Sequence, residues 1–173
     1  MPKFFAVYIK IITAVNRALF FAAAALMGLI VPVMLYEVTS RYIFNAPTVW
    51  SLELALLMFG PYFLFGGPYL LHLKGHVSLD VLTARVSPQT RRFLEIFNQL
   101  IIIIFCVILF SYAWPLAIQS FEFRETSFSA WNPTIWHVKF SVPIAVALLG
   151  AQSIAELLVL VFNPEQAQES VTV

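Results

Sequence analysis

The run ALFFAAAALMGLIVPVMLY, residues 18–36, decides the fold. It carries no charged side chain, and at 1.5 Å per residue it is long enough to cross a hydrocarbon layer of ~30 Å as a helix. Buried helices of soluble domains rarely sustain such a run, and the apolar region of a secretory signal is shorter, at roughly 7–15 residues. Lys3, Lys10 and Arg17 ahead of it imitate the charged start of a signal peptide, but no A-x-A-like cleavage site follows before Arg41. An uncleaved first membrane helix is therefore expected.

Outward from this run, three further segments pass the same test of length and polarity. The expected helices lie at about 15–39, 52–73, 92–119 and 139–162. Backbone polar groups cannot stay unpaired in lipid, and the segments are too long and continuous for barrel strands, so each must be a helix. The fold class is an all-α integral membrane protein with four transmembrane helices in one domain over residues 1–164, followed by a polar tail at 165–173. Ser87-Pro88 ahead of the third run reads as an N-cap with proline at the first helical position, and Asn163-Pro164 closes the fourth.

Composition agrees. The 173 residues are 61% hydrophobic and 11% charged, against roughly 25% charge in soluble domains. A formal net charge of +1 offers no basic surface for nucleic acid. The single cysteine, Cys106, sits in the apolar third run and reads as a small buried hydrophobe.

Cationic residues set the expected orientation. With the N-terminus cytoplasmic, Lys3, Lys10, Arg17, Lys74, Arg85, Arg91 and Arg92 lie inside, and Arg41, Arg124 and Lys139 outside. That excess satisfies the positive-inside rule and puts both termini in the cytoplasm. Trp50, Trp114, Trp131 and Trp136 all fall near outer helix ends, as an aromatic interfacial belt would. Loops two (74–91) and three (120–138) mix apolar and charged residues and are expected to hold short amphipathic segments in the interfaces.

Charge at membrane depth is nearly absent. An ionised side chain at a helix centre costs at least ~2.5–3.5 kcal/mol, so helices that line a polar pathway usually show one. Here Glu37, Glu53 and Glu95 lie near helix ends, and Glu156 within two turns of one. Asn98, Gln99, Gln152 and Ser153 read as interhelical hydrogen-bond partners. His72 and His76 belong to the inner end of helix two and His137 to the outer loop, so they cannot share a metal or haem, and neither is expected as a cofactor. Hydrolase and phosphate-loop motifs are missing, and an enzyme is not expected.

The polar residues around loop one are more specific. Glu37 and Arg41 stand four apart and can pair on one helix face, while Trp50 and Glu53 open the next helix, with Glu53 favourable to its dipole. Arg41-Tyr42-Ile43-Phe44-Asn45, Pro47 and Trp50-Ser51-Leu52-Glu53 together resemble the first signature of the small membrane subunit of tripartite ATP-independent periplasmic (TRAP) transporters. Gly75-His76-Val77-Ser78-Leu79-Asp80 is similar to that family's second signature, and Trp136 with Ser141-Val142-Pro143-Ile144 resembles its last. The family commonly has two acidic residues after the tryptophan. Here Leu52 takes the first place, leaving Glu53.

The resemblance implies a three-part transporter. In it a periplasmic binding protein captures an organic acid, a large multi-helix subunit moves it with sodium by an elevator motion, and a small subunit extends the fixed scaffold. On this expectation the chain is the small subunit, in contact with lipid and the large subunit. Arg41, Trp50 and Glu53 would fix the outer end of the contact, and His76 and Asp80 the inner. Two other readings stay open: a self-sufficient homodimeric transporter built on Glu156, and a haem-binding anchor of a redox enzyme. The substrate is not legible in this chain.

Overall fold

A computed structural model describes residues 3–73 and 88–162. Four helices follow in order: α1 (Lys3–Tyr42), α2 (Ser51–His72), α3 (Pro88–Glu122) and α4 (Trp136–Phe162). All four are long and apolar enough to cross a membrane. His76, Asp80, residues 74–87 of loop two and the tail at 165–173 lie outside the described residues, while the last residues of loop two, 88–91, open α3.

α1 starts twelve residues before the expected position 15 and runs for 40 residues, roughly 60 Å, about twice the hydrocarbon thickness. Nothing in residues 3–14 breaks a helix, and Lys3, Lys10 and Arg17 repeat every seven, so the charges keep to one side. Four of its five buried residues repeat likewise: Asn16, Ala23, Ile30 and Glu37 form a narrow seam toward the rest of the molecule, with Ser40 one turn beyond. The helix then stops sharply. Asn45 adopts a left-handed backbone with φ 51°, and the Ala46 amide donates back to the Ser40 carbonyl at 3.0 Å. That bond folds the chain back onto the last turn, with asparagine in the left-handed conformation glycine usually supplies and Pro47 beyond it preventing continuation.

α4 is the hub. It packs against all three other helices; α1 and α2 pair with each other, while α3 packs chiefly on α4. In its most apolar stretch 39% of residues are buried in the molecule, against 11% in α1. Among residues 89–122 of α3, only Gln99, Cys106, Ala117 and Ser120 are buried. The close α3–α4 approach depends on small residues: a Cβ added at Gly150 would stand 3.3 Å from the Cys106 Cβ.

Between α3 and α4 the chain forms no helix but an irregular loop closed by an antiparallel bridge, Thr126 to Thr134. Glu125 and Ile135, Ser127 and Pro133 are joined through backbone bonds of 3.0 Å. The reason is local: Arg124, Phe128 and Asn132 all take positive φ, which a helix cannot accommodate. Asn132 supports the turn by accepting from the Phe128 amide at 3.0 Å.

Candidate functional site

Two polar clusters occupy opposite ends of the bundle. At the end carrying loops one and three, Glu37 is 4% exposed and saturated with donors. Arg41 donates through Nε at 2.8 Å and also through a terminal guanidinium nitrogen. The Thr48 amide donates to the other carboxylate oxygen at 3.1 Å, and so does the Thr48 hydroxyl. Thr48 in turn meets Ser51 at the start of α2, Oγ1 to Oγ 2.5 Å. One carboxylate thus ties the end of α1 through loop one to the start of α2, which charged hydrogen bonds do more strongly than neutral ones.

The sequence-expected residues join this structure. Arg41 pairs with Glu37 as its spacing implied. Trp50 precedes α2 and stacks on Tyr36 of α1 at 5.9 Å. Glu53, in the first turn of α2, accepts from Ser129 of loop three at 2.5 Å, so the start of α2 and loop three are held together. Loop three is further anchored by Lys139, which donates to Glu125 at 2.5 Å. The Lys139 ammonium beside Glu125 holds that carboxyl below its ordinary range. An aromatic group of Phe121, Trp136 and Phe140 backs the same end, with Phe121 and Trp136 edge-to-face at 5.1 Å.

The opposite end holds a cluster only partly visible in the sequence. Gln152, fully buried, accepts from Asn16 of α1 at 2.8 Å and donates to Glu156 at 2.9 Å. Glu156 also meets His72 Nδ1 at 2.6 Å, so α1, α2 and α4 share one polar network. Tyr8 donates to the Ala151 carbonyl at 2.9 Å. Between α3 and α4, Ser153 donates to the Gln99 side-chain oxygen at 2.6 Å. Gln99, Gln152 and Ser153 therefore bridge helices as expected. Asn98 is half-buried and makes no such bond among the described residues.

Asn16 and the His72–Glu156 pair were missed. Their one signal was a polar residue inside an otherwise apolar window of each helix. Residue spacing within a helix cannot say which polar residues of different helices meet.

Among the described residues no three of His, Cys, Asp and Glu gather where they could hold a metal. The clusters join helices to one another: Glu37, Gln99, Gln152 and the Asn16 amide nitrogen each bond to protein groups, while the buried Asn16 Oδ1 has no partner among the described residues.

A sequence model of the tripartite ATP-independent periplasmic transporters, DctQ component, matches residues 29–163. The matched region runs from mid-α1 through the whole of α2, α3 and α4. The chain is also 32% identical over 78 residues to the sialic acid TRAP transporter permease protein SiaT of Haemophilus influenzae (strain 86-028NP). That similarity covers 45% of this chain and only 12% of the relative. With four membrane-crossing helices, the loop-one architecture around Glu37, Arg41 and Trp50, and a family match over most of its length, this chain belongs to the DctQ component family of TRAP transporters.

Proposed function

We propose that this chain packs on the large permease subunit of a TRAP transporter and extends its fixed scaffold. In this reading the large subunit moves an organic acid with sodium by an elevator motion, after delivery by a periplasmic binding protein. The DctQ family is one of inner-membrane transporter subunits and not of enzymes, which supports the reading, and such a transporter implies a large permease and a binding protein.

The observation that carries the scaffold role is the uncovered apolar surface of α3. That helix rests chiefly on α4, leaving Ile101, Ile104, Phe105 and Ile108 exposed. A helix that transports a polar solute needs polar groups along a path, whereas a helix that braces a partner needs apolar contact faces. Arg41, Trp50 and Glu53 serve this role by stiffening the loops at one end, so that a rigid rim meets the partner; His76 and Asp80 are proposed to act at the other.

A mild-detergent pull-down of the tagged chain from native membranes tests the reading. Near-equal recovery of a large polytopic membrane protein is expected. Trp50→Ala and Glu53→Ala should lower its recovery and substrate uptake while both proteins still insert. Recovery of this chain alone as a stable homodimer would overturn the proposal.

A further inference from the structure

Beside the N-terminal half of α1, where it passes the end of α2, lies a groove of about 550 Å³. Its polar side is formed by Lys10, Thr13 and Arg17 of α1 with His72 of α2, and its apolar side includes Ala14 and Ala18. Lys10, Thr13 and Arg17 follow the i, i+3, i+7 spacing that puts side chains on one helix face.

The two cations differ from three others among the described residues. Arg41, Arg91 and Lys139 each pair with a carboxylate, Glu37, Glu95 and Glu125 respectively. Lys10 and Arg17 are exposed, and among the described residues neither pairs with one. The nearby Glu156 is held by His72 Nδ1 and Gln152 and does not line the groove. A positive groove with no internal counter-charge attracts an anion.

Position selects which anion. Arg17 is the last charge before the uncharged run 18–36, so the groove straddles the boundary between polar and apolar surface. The Arg17 guanidinium lies over the Phe21 ring, 6.0 Å from its centroid, which places a phosphate-binding fork directly against an exposed aromatic wall. A free phosphate would use only the cations. A phospholipid would use both halves, with its phosphate between Lys10 and Arg17 and its acyl chains along Ala18 and Phe21.

We propose that the Lys10–Arg17 groove is a binding site for the headgroup of an anionic phospholipid such as phosphatidylglycerol. It rests on the chain lying in a membrane and not on its being a transporter subunit, so loss of partner binding would leave it standing.

The test is native mass spectrometry of the purified chain in mild detergent with equimolar phosphatidylglycerol and phosphatidylcholine. Wild type is expected to retain phosphatidylglycerol preferentially. Lys10→Gln with Arg17→Gln should weaken that retention about 30-fold and leave phosphatidylcholine unchanged. Lys3→Gln, on the same helix but outside the groove, should behave as wild type. Should the double variant fail to fold, Arg17→Gln alone should show about a fivefold loss. Undiminished preference in the folded variants, an equal loss in Lys3→Gln, or full displacement of the lipid by millimolar inorganic phosphate would each overturn the assignment.

Discussion

At the scale of single residues, carboxylates organise the end of the molecule that carries loops one and three. Glu37 draws α1, loop one and α2 together because four donors converge on its two oxygens. Glu125 does the same for loop three through Lys139, at 2.5 Å, and its consequence is measurable. The Lys139 ammonium lowers the Glu125 pKa in the folded state. A group whose folded pKa is depressed contributes stability above its unfolded pKa, and that contribution disappears as pH falls through the folded value. Wild type should therefore melt above a Glu125→Gln variant at pH 7, by a constant margin down to about pH 5. The margin should close below about pH 4, as glutamate becomes protonated in both states. Melting curves in detergent between pH 7 and pH 3 check this; a margin unchanged at pH 3 would show that the variant acts through packing instead. The Glu37–Arg41 pair was legible in the sequence because both partners lie on one helix four residues apart. The Glu53–Ser129 and Lys139–Glu125 contacts were not. They join residues whose separation depends on how loop three turns, and that turn depends on left-handed backbone at Arg124 and Phe128, residue types that rarely announce it.

At the scale of elements, hydropathy located all four helices but not their full lengths. It reports where lipid would accept the chain, whereas a helix continues until something stops it. Nothing stops α1 between Ala14 and Lys3, so it extends beyond the apolar run. The stops that do exist are chemical: Asn45 with Pro47 ends α1, and the left-handed Arg124 lies just beyond the end of α3. What hydropathy cannot show is which faces meet, and for α3 and α4 the answer lies in Gly150. Its missing side chain lets the Cys106 side chain approach, so a Cβ there would stand 3.3 Å from Cys106 Cβ and 3.8 Å from its Sγ. Gly150→Val should force the two helices apart and strain the neighbouring Ser153–Gln99 bond, costing about 1–3 kcal/mol. The melting temperature in detergent should fall accordingly. Cys106→Ala, which vacates space, should partly restore stability to Gly150→Val although it destabilises wild type. Additive losses in the double variant would mean that the two residues are not in energetic contact.

At the scale of the whole molecule, the arrangement is asymmetric. α1, α2 and α4 contact one another and share the Asn16, Gln152, Glu156 and His72 network, while α3 depends mainly on α4. The lateral surface of α3 is left to lipid or to another protein. In lipid an exposed isoleucine gains little from its surroundings over an alanine, because hydrocarbon tails are as apolar as the side chain; against a protein it gains close packing. The two surroundings can therefore be told apart by truncation. Ile104 and Ile108 stand four apart on this surface and are 59% and 54% exposed. Replacing both with alanine should shift the melting temperature of the isolated chain by no more than about 2 °C, since neither is buried in it. In native membranes the same variant should recover several-fold less of the large subunit, as each truncation removes ~1 kcal/mol or more of packing at an interface. Leu29 and Leu35 of α1, 57% and 61% exposed, provide the comparison. If Leu29→Ala with Leu35→Ala lowers recovery while the α3 pair does not, the partner docks on α1, and α3 faces lipid.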